Sequence, residues 1–307
     1  MIYTVTLNPT LDMIVYLDDL DPGNLLQVKA SHKYPGGKAI NVSRTLHNLN
    51  IPSVSTGFLG GYPGKFIYDW FEKRKLEHYF INVDEDSRTN IKVKSQNEET
   101  ILRGVSPYVP KKDVDDLLYF LSRVREGDII VMGGSIPDSI SHDIYRRIIE
   151  ICKANKAHFV IDIPPKQTLD ALKFGPLLIK PNIDDLAKMF DKDGFDDEDD
   201  IIEHGLKCIN IGATNAIVSL GDEGSYLFTK DGSVYRSYGV KGKVVNTFSS
   251  RDAMIGAFIG LYMKQNNPVS AFKMASASAS ATAFVEDIAT KEEIEDIYEK
   301  TIVKKIR

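Results

Sequence analysis

Apolar residues follow two different periods along the chain, and the two periods alternate. Short runs that are continuously or nearly apolar are typical of strands buried on both faces of a parallel sheet. These runs are residues 2–7, 53–58, 128–133, 158–163, 177–180 and 216–220. Apolar residues recur at three- and four-residue spacing in 111–127, 141–156 and 197–212, which predicts amphipathic helices. The alternation predicts a doubly wound α/β fold with a mostly parallel central sheet.

Residues 10–35 and 80–103 interrupt this alternation. Their strand-like stretches alternate polar and apolar positions, which indicates a sheet with one solvated face. We therefore predict a small β lid that stands over the main sheet. In a doubly wound sheet, ligands bind beyond the carboxyl ends of the strands, so a lid at that edge would cover a bound ligand.

The composition is that of a globular protein. An apolar share of 43% in 307 residues is enough for a substantial core. The formal net charge of -5 lacks the basic excess of nucleic-acid binders, so we expect no nucleic-acid partner. Cys152 and Cys208 are far apart, which indicates neither a disulfide framework nor a zinc site. The sequence has no basic leader and no apolar run of about 18 residues, so we expect a cytoplasmic protein without a membrane partner.

Residues 246–260, NTFSSRDAMIGAFIG, combine an anion-binding position with a carboxylate. A β-rich segment that includes Val244 and Val245 leads through a short polar turn to Asp252, which is predicted to open an apolar helix. The start of a helix presents unpaired N–H groups and the positive end of the helix dipole, which suits an anion. A carboxylate beside it can take the proton of a hydroxyl that attacks a phosphoryl group. Taken alone, the stretch is equally explained by an acid favoured in the first turn of a helix.

Residues 34–46 carry the clearest combination of glycine and positive charge. A strand-like stretch ends in Gly36 and Gly37, and Lys38 and Asn41 follow at the start of a helix. Glycines allow a ligand to approach the backbone, and a lysine at a helix start supplies a point charge. The pattern suits a phosphate or a polyol, and it is also compatible with an ordinary junction between a loop and a helix.

Two further clusters follow predicted strands. Lys180 closes one strand, and Asn182 and Asp185 follow at the start of a helix. An amide oxygen and a carboxylate at this spacing can hold a hydrated Mg²⁺ beside phosphates, although the same residues would also form an ordinary helix cap. Gly221 and Gly224 follow another strand, where a hairpin alone would explain them.

Two common nucleotide-binding fingerprints are excluded. Leu59 stands where a P-loop ending at Gly64 would have its first glycine, and Phe66 replaces the Ser or Thr that would bind Mg²⁺. Neither GFLGGYPG at 57–64 nor VMGGSIPD at 131–138 has the G-x-G-x-x-G spacing of dinucleotide-binding folds. Hydride transfer with a dinucleotide therefore loses its main support.

Taken in order, these stretches resemble the ribokinase-like (PfkB) carbohydrate kinases, in particular the branch of 1-phosphofructokinases and tagatose-6-phosphate kinases. The resemblance covers essentially the whole chain. It rests on TLNPTLD (6–12), GGKAINVSR (36–44), TGFLGG (56–61), SRTNIKVK (87–94), GSIP (134–137), KPNIDDL (180–186), VSLGDEG (218–224) and NTFSSRDAM (246–254). It implies a three-layer αβα ribokinase-like fold in which residues 1–307 form a single kinase domain, with the lid made by residues 10–35 and 80–103.

The resemblance also implies ATP- and Mg²⁺-dependent phosphorylation of a phosphorylated ketohexose, such as fructose 1-phosphate, tagatose 6-phosphate or fructose 6-phosphate, to a bisphosphate. Asp252 would be the catalytic base. The implied sugar-phosphate ligands are Asp12, Gly36, Gly37, Lys38, Asn41 and Arg88. The implied ATP ligands are Lys180, Asn182, Ser219, Gly221, Gly224, Ser249 and Ser250, and Asn182 and Asp185 would hold Mg²⁺ through water.

The chain departs from the family pattern just before Asp252. The family has Gly-Ala/Ser-Gly, whose backbone amides form an anion hole, where this chain has Ser249, Ser250 and Arg251. Side chains restrict the backbone angles that glycine allows, so we expect a distorted hole. Arg251 would either clamp the transferred phosphoryl group or occupy its position. Further departures are Ala39 and Ser106 in place of glycines and Asp185 in place of glutamate.

Three functions compete. The first is an active phosphosugar kinase, and the second is a regulatory protein that keeps both binding sites but has lost turnover. The third, an adenosine-type or vitamin kinase, is disfavoured because Lys38 and Arg88 together suit an anionic sugar. The motifs do not distinguish among ketose phosphates. The edge strands of the lid also suggest a homodimer through the lid.

Overall fold

The computed structural model describes residues 1–95 and 98–307. The strands are β1 (Ile2–Thr6), β2 (Thr10–Tyr16), β3 (Ala30–Gly36), β4 (Ser53–Gly60), β5 (His78–Val83), β6 (Arg88–Lys94), β7 (Glu99–Leu102), β8 (Ile129–Gly133), β9 (His158–Asp162), β10 (Leu178–Ile179), β11 (Asn215–Ser219), β12 (Ser225–Thr229), β13 (Val234–Ser237) and β14 (Val303–Lys305). The helices are α1 (Lys38–Asn48), α2 (Gly61–Arg74), α3 (Lys111–Leu121), α4 (Ile144–Ala154), α5 (Pro165–Leu172), α6 (Ile183–Met189), α7 (Glu198–Ile211), α8 (Phe248–Gln265), α9 (Pro268–Ala283) and α10 (Lys291–Lys300).

The central sheet has ten strands in the order β14-β13-β12-β11-β10-β9-β8-β1-β4-β5. Neighbours from β5 to β11 pair in parallel, and β12, β13 and β14 extend the sheet with antiparallel pairs. Each of the predicted buried runs contributes a strand to this sheet. The predicted mostly parallel α/β fold is therefore confirmed.

The two faces of the sheet carry separate cores, because successive side chains of a strand point to opposite faces. In β8, Ile130 and Met132 belong to one core, which helices α3, α4 and α7 cover. Ile129 and Val131 belong to the other core, which α1, α8 and α9 cover. The protein is thus built of three layers, helices on a sheet on helices.

A second sheet of four strands, in the order β3-β2-β6-β7, forms the predicted lid. Strands β2 and β6 pair in parallel, so Asp12 lies opposite Asn90. This sheet also contacts the main body, since the hydroxyl of Tyr16 donates to Oε1 of Glu286 at 3.0 Å. The strand order therefore places Asp12 on an inner strand of the lid.

The assignment of residues 80–83 to the lid was wrong. Strand β5 is an edge strand of the central sheet, where it pairs in parallel with β4 and His78 lies opposite Ser55. Its polar and apolar residues alternate because an edge strand has one face exposed to solvent. Alternation alone therefore did not distinguish the edge of the large sheet from a strand of the lid.

Two expectations about the chain as a whole can be compared with the structure. Cys152 and Cys208 are buried and form no disulfide. Across the described ranges, 1–95 and 98–307, no helix has both the length and the apolar character needed to cross a membrane.

Candidate active site

Asp252 and Asn41 lie side by side where helices α8 and α1 pack together. Nδ2 of Asn41 donates a hydrogen bond to Oδ2 of Asp252 at 2.9 Å. One helical turn further along, a Cβ on Gly256 would lie 3.0 Å from Cβ of Thr45, so the two helices are in close contact there. Residues four apart share a helix face, so this contact also brings Asp252 against Asn41. The packing of the two helices therefore fixes the geometry of the pair.

The environment of Asp252 favours its protonated form. Only 5% of the residue is exposed. Burial raises the pKa of Asp252 to about 7, and the negative charge of Asp162 contributes to the rise. The hydrogen bond from Asn41 and the charges of Lys38 and Lys180 act in the opposite direction. A pKa close to neutrality is what a general base needs to accept and then release a proton.

Two lysines and a second carboxylate surround Asp252. Asp162 ends β9, and Nζ of Lys38 lies 3.1 Å from its Oδ2. Lys180 follows β10 and is only 3% exposed. Burial lowers the pKa of Lys180, whereas the charges of Asp162 and Asp252 raise it. The carboxyl ends of neighbouring parallel strands thus bring together charges that are far apart in the sequence.

Asn182 and Asp185 form the helix cap that the sequence allowed. Oδ1 of Asn182 accepts a hydrogen bond from the backbone N–H of Asp185 at 2.6 Å. Helix α6 begins at Ile183, directly after Asn182. Asp185 also lines a cavity together with Asp162 and Lys180. Because Mg²⁺ keeps several waters and takes one or two carboxylates beside phosphates, these residues fit a hydrated ion. Within the described part of the chain, no group of three or more acidic, His or Cys side chains could hold a metal. Nucleotide phosphates would therefore have to complete the coordination.

Two of the predicted sugar ligands, Asp12 and Asn41, line a pocket between the lid and the start of α8. Oδ1 of Asp12 accepts a hydrogen bond from Nδ2 of Asn90 at 2.9 Å, and burial raises the pKa of Asp12. Gly36 lies against this carboxyl group, since a Cβ there would be 2.4 Å from Oδ2 of Asp12. Asp12, Asn41 and Ser249 all line the pocket. The structure therefore brings together residues from the lid, α1 and α8.

Gly37, Lys38 and Arg88 are the remaining predicted sugar ligands. Gly37 has a φ of +120°, and a Cβ there would be 3.5 Å from Cα of Pro9. The guanidinium group of Arg88 donates to the carbonyl oxygen of Asn8 at 2.8 Å. The Gly37–Lys38 turn and Arg88 thus both lie next to the residues that follow β1. The side chain of Lys38 remains 46% exposed.

The predicted ATP ligands Ser219, Gly221 and Gly224 lie at the end of β11. The backbone N–H of Ser219 donates to the carbonyl oxygen of Pro181 at 3.1 Å, which places it beside the segment after β10. The glycines have φ values of +67° and +97°, and a Cβ on Gly224 would lie 2.1 Å from the carbonyl oxygen of Ser237. Strands β11 and β12 pair in antiparallel, so a hairpin accounts for both glycines.

Helix α8 begins earlier than expected. It starts at Phe248, so Asp252 lies in its second turn and does not open the helix. The prediction of a β-rich segment before this helix was also wrong, because residues 241–246 form no strand. Oδ1 of Asn246 accepts a hydrogen bond from the backbone N–H of Ser249 at 3.2 Å. This side-chain contact satisfies a donor of the first turn and favours an earlier start of the helix.

Ser249, Ser250 and Arg251 all lie within the first turns of α8. None of the three has a positive φ. Their backbone therefore adopts no angle that requires glycine. Arg251 is exposed, and its charge lowers the pKa of Lys180, which shows that the two cations are close.

Sequence analysis missed two charged residues of this region. Asp162 carried the same signal as Lys180, a polar residue that ends an apolar strand. Arg103 follows β7 of the lid, and its charge adds to the lowering of the Arg88 pKa by burial. No local pattern distinguished Arg103 from any other exposed arginine.

The raised pKa of Asp252 predicts a stability effect that depends on pH. Between its ordinary value of 3.8 and about 7, the folded protein keeps a proton that the unfolded chain has lost, so stability falls as pH rises. Asp252→Asn should therefore raise the free energy of unfolding more at pH 8 than at pH 5, by about 2–3 kcal/mol. Urea unfolding at both pH values measures this difference. The matched control is Asp184→Asn, at an exposed position, and an equal effect of both substitutions at both pH values would contradict the prediction.

The chain is similar to known carbohydrate kinases over nearly its whole length. A family model described as "pfkB family carbohydrate kinase" matches residues 5–294. The chain is 37% identical to a 1-phosphofructokinase of Bacillus subtilis (strain 168), with 100% of both proteins covered. It is 32% identical to a D-tagatose-1-phosphate kinase of Bacillus licheniformis, covering 92% of this chain and 93% of that protein. Phosphofructokinase-2 from Escherichia coli, solved in complex with substrates and products, has the same fold, with a TM-score of 0.92, 22% identity and coverage of 97% and 98%. These matches confirm the resemblance, and the chain belongs to the PfkB family of carbohydrate kinases.

Proposed function

We propose that this protein transfers the terminal phosphoryl group of ATP to a free hydroxyl of a ketohexose phosphate, which gives a ketohexose bisphosphate and ADP. The observation that carries the proposal is the buried carboxyl group of Asp252, with its pKa of about 7 and its hydrogen bond to Asn41. It lies in the second turn of α8, one turn after the helix start, where an anion is favoured, so a proton acceptor and a phosphoryl site adjoin.

A ketohexose 1-phosphate is the substrate class that we favour. The two relatives at 37% and 32% identity are named for fructose and tagatose 1-phosphates. Lys38 and Arg88 would supply the cations for the phosphate that the sugar already carries. Asp12, with Gly36 and Gly37 beneath the sugar, binds its hydroxyl groups. Because ATP is the donor, we place the reaction in the cytoplasm.

In the reaction, the sugar hydroxyl gives its proton to the carboxylate of Asp252 while its oxygen forms a bond to the terminal phosphorus of ATP. The bond from that phosphorus to the bridging oxygen breaks, and the electron pair leaves with ADP. Asn41 holds one carboxylate oxygen, so the other accepts the proton. Burial helps because the carboxylate is a stronger base when poorly solvated.

The nucleotide binds on the other side of Asp252. Lys180 and the first turn of α8, which carries Ser249 and Ser250, face the phosphates, and the remaining nucleotide contacts come from Asn182, Ser219, Gly221 and Gly224. Asp185 and Asn182, together with Asp162, would hold Mg²⁺ through water. When bound, the ion would neutralise charge on the phosphates.

A regulatory protein that binds both ligands without turnover is the second candidate. The observation that favours it is the side chains of Ser249, Ser250 and Arg251 in the turn that would receive the transferred phosphoryl group. In this alternative, Arg251 occupies the phosphoryl position. Binding measurements alone would not separate the two candidates, so turnover decides between them.

A coupled assay of ADP release tests the proposal with fructose 1-phosphate, tagatose 1-phosphate, fructose 6-phosphate and tagatose 6-phosphate. We expect turnover with the 1-phosphates. Asp252→Asn should lower kcat by about 10²–10⁴, because the base is lost while its shape is kept. Calorimetry should show unchanged ATP binding by the variant. Binding of ATP and sugar without any release of ADP by the unmodified protein would support the regulatory alternative instead.

Arg251 provides a separate prediction. As a clamp on the transferred phosphoryl group, its loss in Arg251→Met should lower kcat by roughly 10² or more and leave the KM for the sugar phosphate nearly unchanged. Lys188→Met, which removes an exposed cation from α6, is the matched control. A rise of kcat in Arg251→Met, or in a variant with Gly-Ala-Gly at 249–251, would show that Arg251 obstructs transfer.

We further infer a homodimer through the lid. Strand β3 is an edge of the lid sheet and most of it is exposed, and Leu25 and Val28 just before it are exposed apolar residues. Sedimentation should give a dimer that Leu25→Glu with Val28→Glu dissociates. Ile302→Glu, at an exposed apolar site near β14, should leave it intact. A monomer at every protein concentration, or equal effects of both changes, would contradict a lid interface.

A further inference from the structure

Arg44 is a buried arginine next to the catalytic pair. It lies on α1, and only 4% of the residue is exposed. Its guanidinium group forms an ion pair with Asp287, which follows α9. A second nitrogen of the same group donates to the carbonyl oxygen of Pro35 at 3.3 Å and lies 3.5 Å from Oδ1 of Asn41. The indole ring of Trp70 packs against it, with its centroid 4.8 Å away.

Asn41 therefore lies between a cation and a carboxylate. Its Oδ1 faces the guanidinium group of Arg44, and its Nδ2 donates to Oδ2 of Asp252. A rotation of the amide by half a turn would bring its NH₂ group against the donors of Arg44 and its oxygen against the carboxylate. Both contacts would then be repulsive. At 3.5 Å the bond from Arg44 is long, so its main effect is the attraction of a positive charge for the amide oxygen.

We propose that Arg44 is a positioning residue that acts on Asp252 through Asn41. This inference rests on the proposed kinase function. With the amide held in one orientation, Oδ2 of Asp252 is occupied by a donor, and Oδ1 is left to accept the proton of the sugar hydroxyl. Without the cation, the amide can present its oxygen to the carboxylate and displace it from this alignment. Small displacements of a catalytic group reduce the rate strongly.

Arg44 is itself held from a distant part of the chain. Asp287 lies 243 residues after Arg44 in the sequence. The backbone carbonyl of Asp287 also accepts from Nδ2 of Asn246 at 3.3 Å, and Asn246 caps the first turn of α8 through Ser249. One turn after α9 therefore orients both the start of α8 and the residue that directs Asn41. Asp287 lines the same pocket as Asn41 and Arg44, so Asp287→Asn offers a second way to loosen Arg44 that leaves the residues of α1 unchanged.

The first experiment compares kcat and KM of Arg44→Met with the matched control Arg74→Met. Arg74 packs on the same Trp70 ring, at 4.0 Å, but is exposed. We expect Arg44→Met to lower kcat by about 10- to 100-fold with the KM for both substrates within about threefold. Arg74→Met should match the unmodified protein, and Arg44→Lys, which keeps the charge, should recover most of kcat. If Arg44→Met does not fold, Arg44→Lys and Asp287→Asn carry the test, and an unchanged kcat in Asp287→Asn would overturn the proposal.

A double-mutant cycle tests whether Arg44 acts through Asn41. In an Asn41→Ala background, Arg44→Met should lower kcat further by less than about threefold, because the group that it orients is gone. Additive losses would overturn the proposal. So would a raised KM for the sugar phosphate with unchanged kcat, since that result would mean that Arg44 binds the substrate directly.

A measurement without turnover separates this inference from the proposed function. The other charged groups that act on Asp252 are Asp162, Lys38 and Lys180, and all are retained in Arg44→Met. Carbon-13 NMR of labelled aspartate, assigned by comparison with Asp252→Asn, follows the titration of this carboxyl group. Loss of the oriented Asn41 donor should raise the pKa of Asp252 in Arg44→Met but not in Arg74→Met. An unshifted titration would overturn the inference, whereas a shift in a protein that phosphorylates none of the sugars would count against the kinase function alone.

Discussion

The hydrogen bond between Asn41 and the buried carboxyl group of Asp252 is the interaction on which the rest of the site depends. A carboxyl group that is removed from water loses the solvation that stabilises its charge, and a pKa near 7 reflects that loss. The group can still ionise because Asn41 donates to it and two lysines lie within electrostatic reach. The close approach of α1 and α8 at Gly256 keeps the donor in place. The contact between α1 and α8 therefore fixes the position of the group that is proposed to accept the proton.

The parallel sheet supplies the charges that this arrangement needs. Parallel strands end at the same edge, so Asp162 after β9 and Lys180 after β10 lie near each other and near the helices that carry Lys38 and Asp252. The cluster contains both lysines and carboxylates, and the charge of each lysine offsets part of the cost of burying the Asp252 carboxylate. The lid completes the pocket from the opposite side, where the parallel pairing of β2 with β6 sets Asp12 against Asn90.

Local patterns predicted the parts of the protein that depend on local sequence. Buried strands appear as continuous apolar runs. Lys180 was identifiable because it follows a strand, and Asp252 because it lies early in an apolar helix. The role of Arg44 was not predictable, because its partner Asp287 is 243 residues away and no period links the two. Strand β5 was assigned to the wrong sheet because an edge strand and a lid strand both have one solvated face. The order of strands in a sheet is a property of long-range pairing, which periodicity does not record.

The start of α8 differs from the family pattern in its side chains, and its backbone is helical. Ser249, Ser250 and Arg251 follow helical angles, so the N–H groups of this turn do not depend on glycine. What the side chains change is charge. Two cations, the buried Lys180 and the exposed Arg251, are close to each other and to the positive end of the α8 dipole. The charge of Arg251 makes the protonated form of Lys180 less favourable. A polyanion placed among them removes this repulsion and gains three favourable interactions at once. In the proposed kinase reaction, Arg251 would therefore add positive charge, which the family's glycines do not supply, to the turn that receives the phosphates.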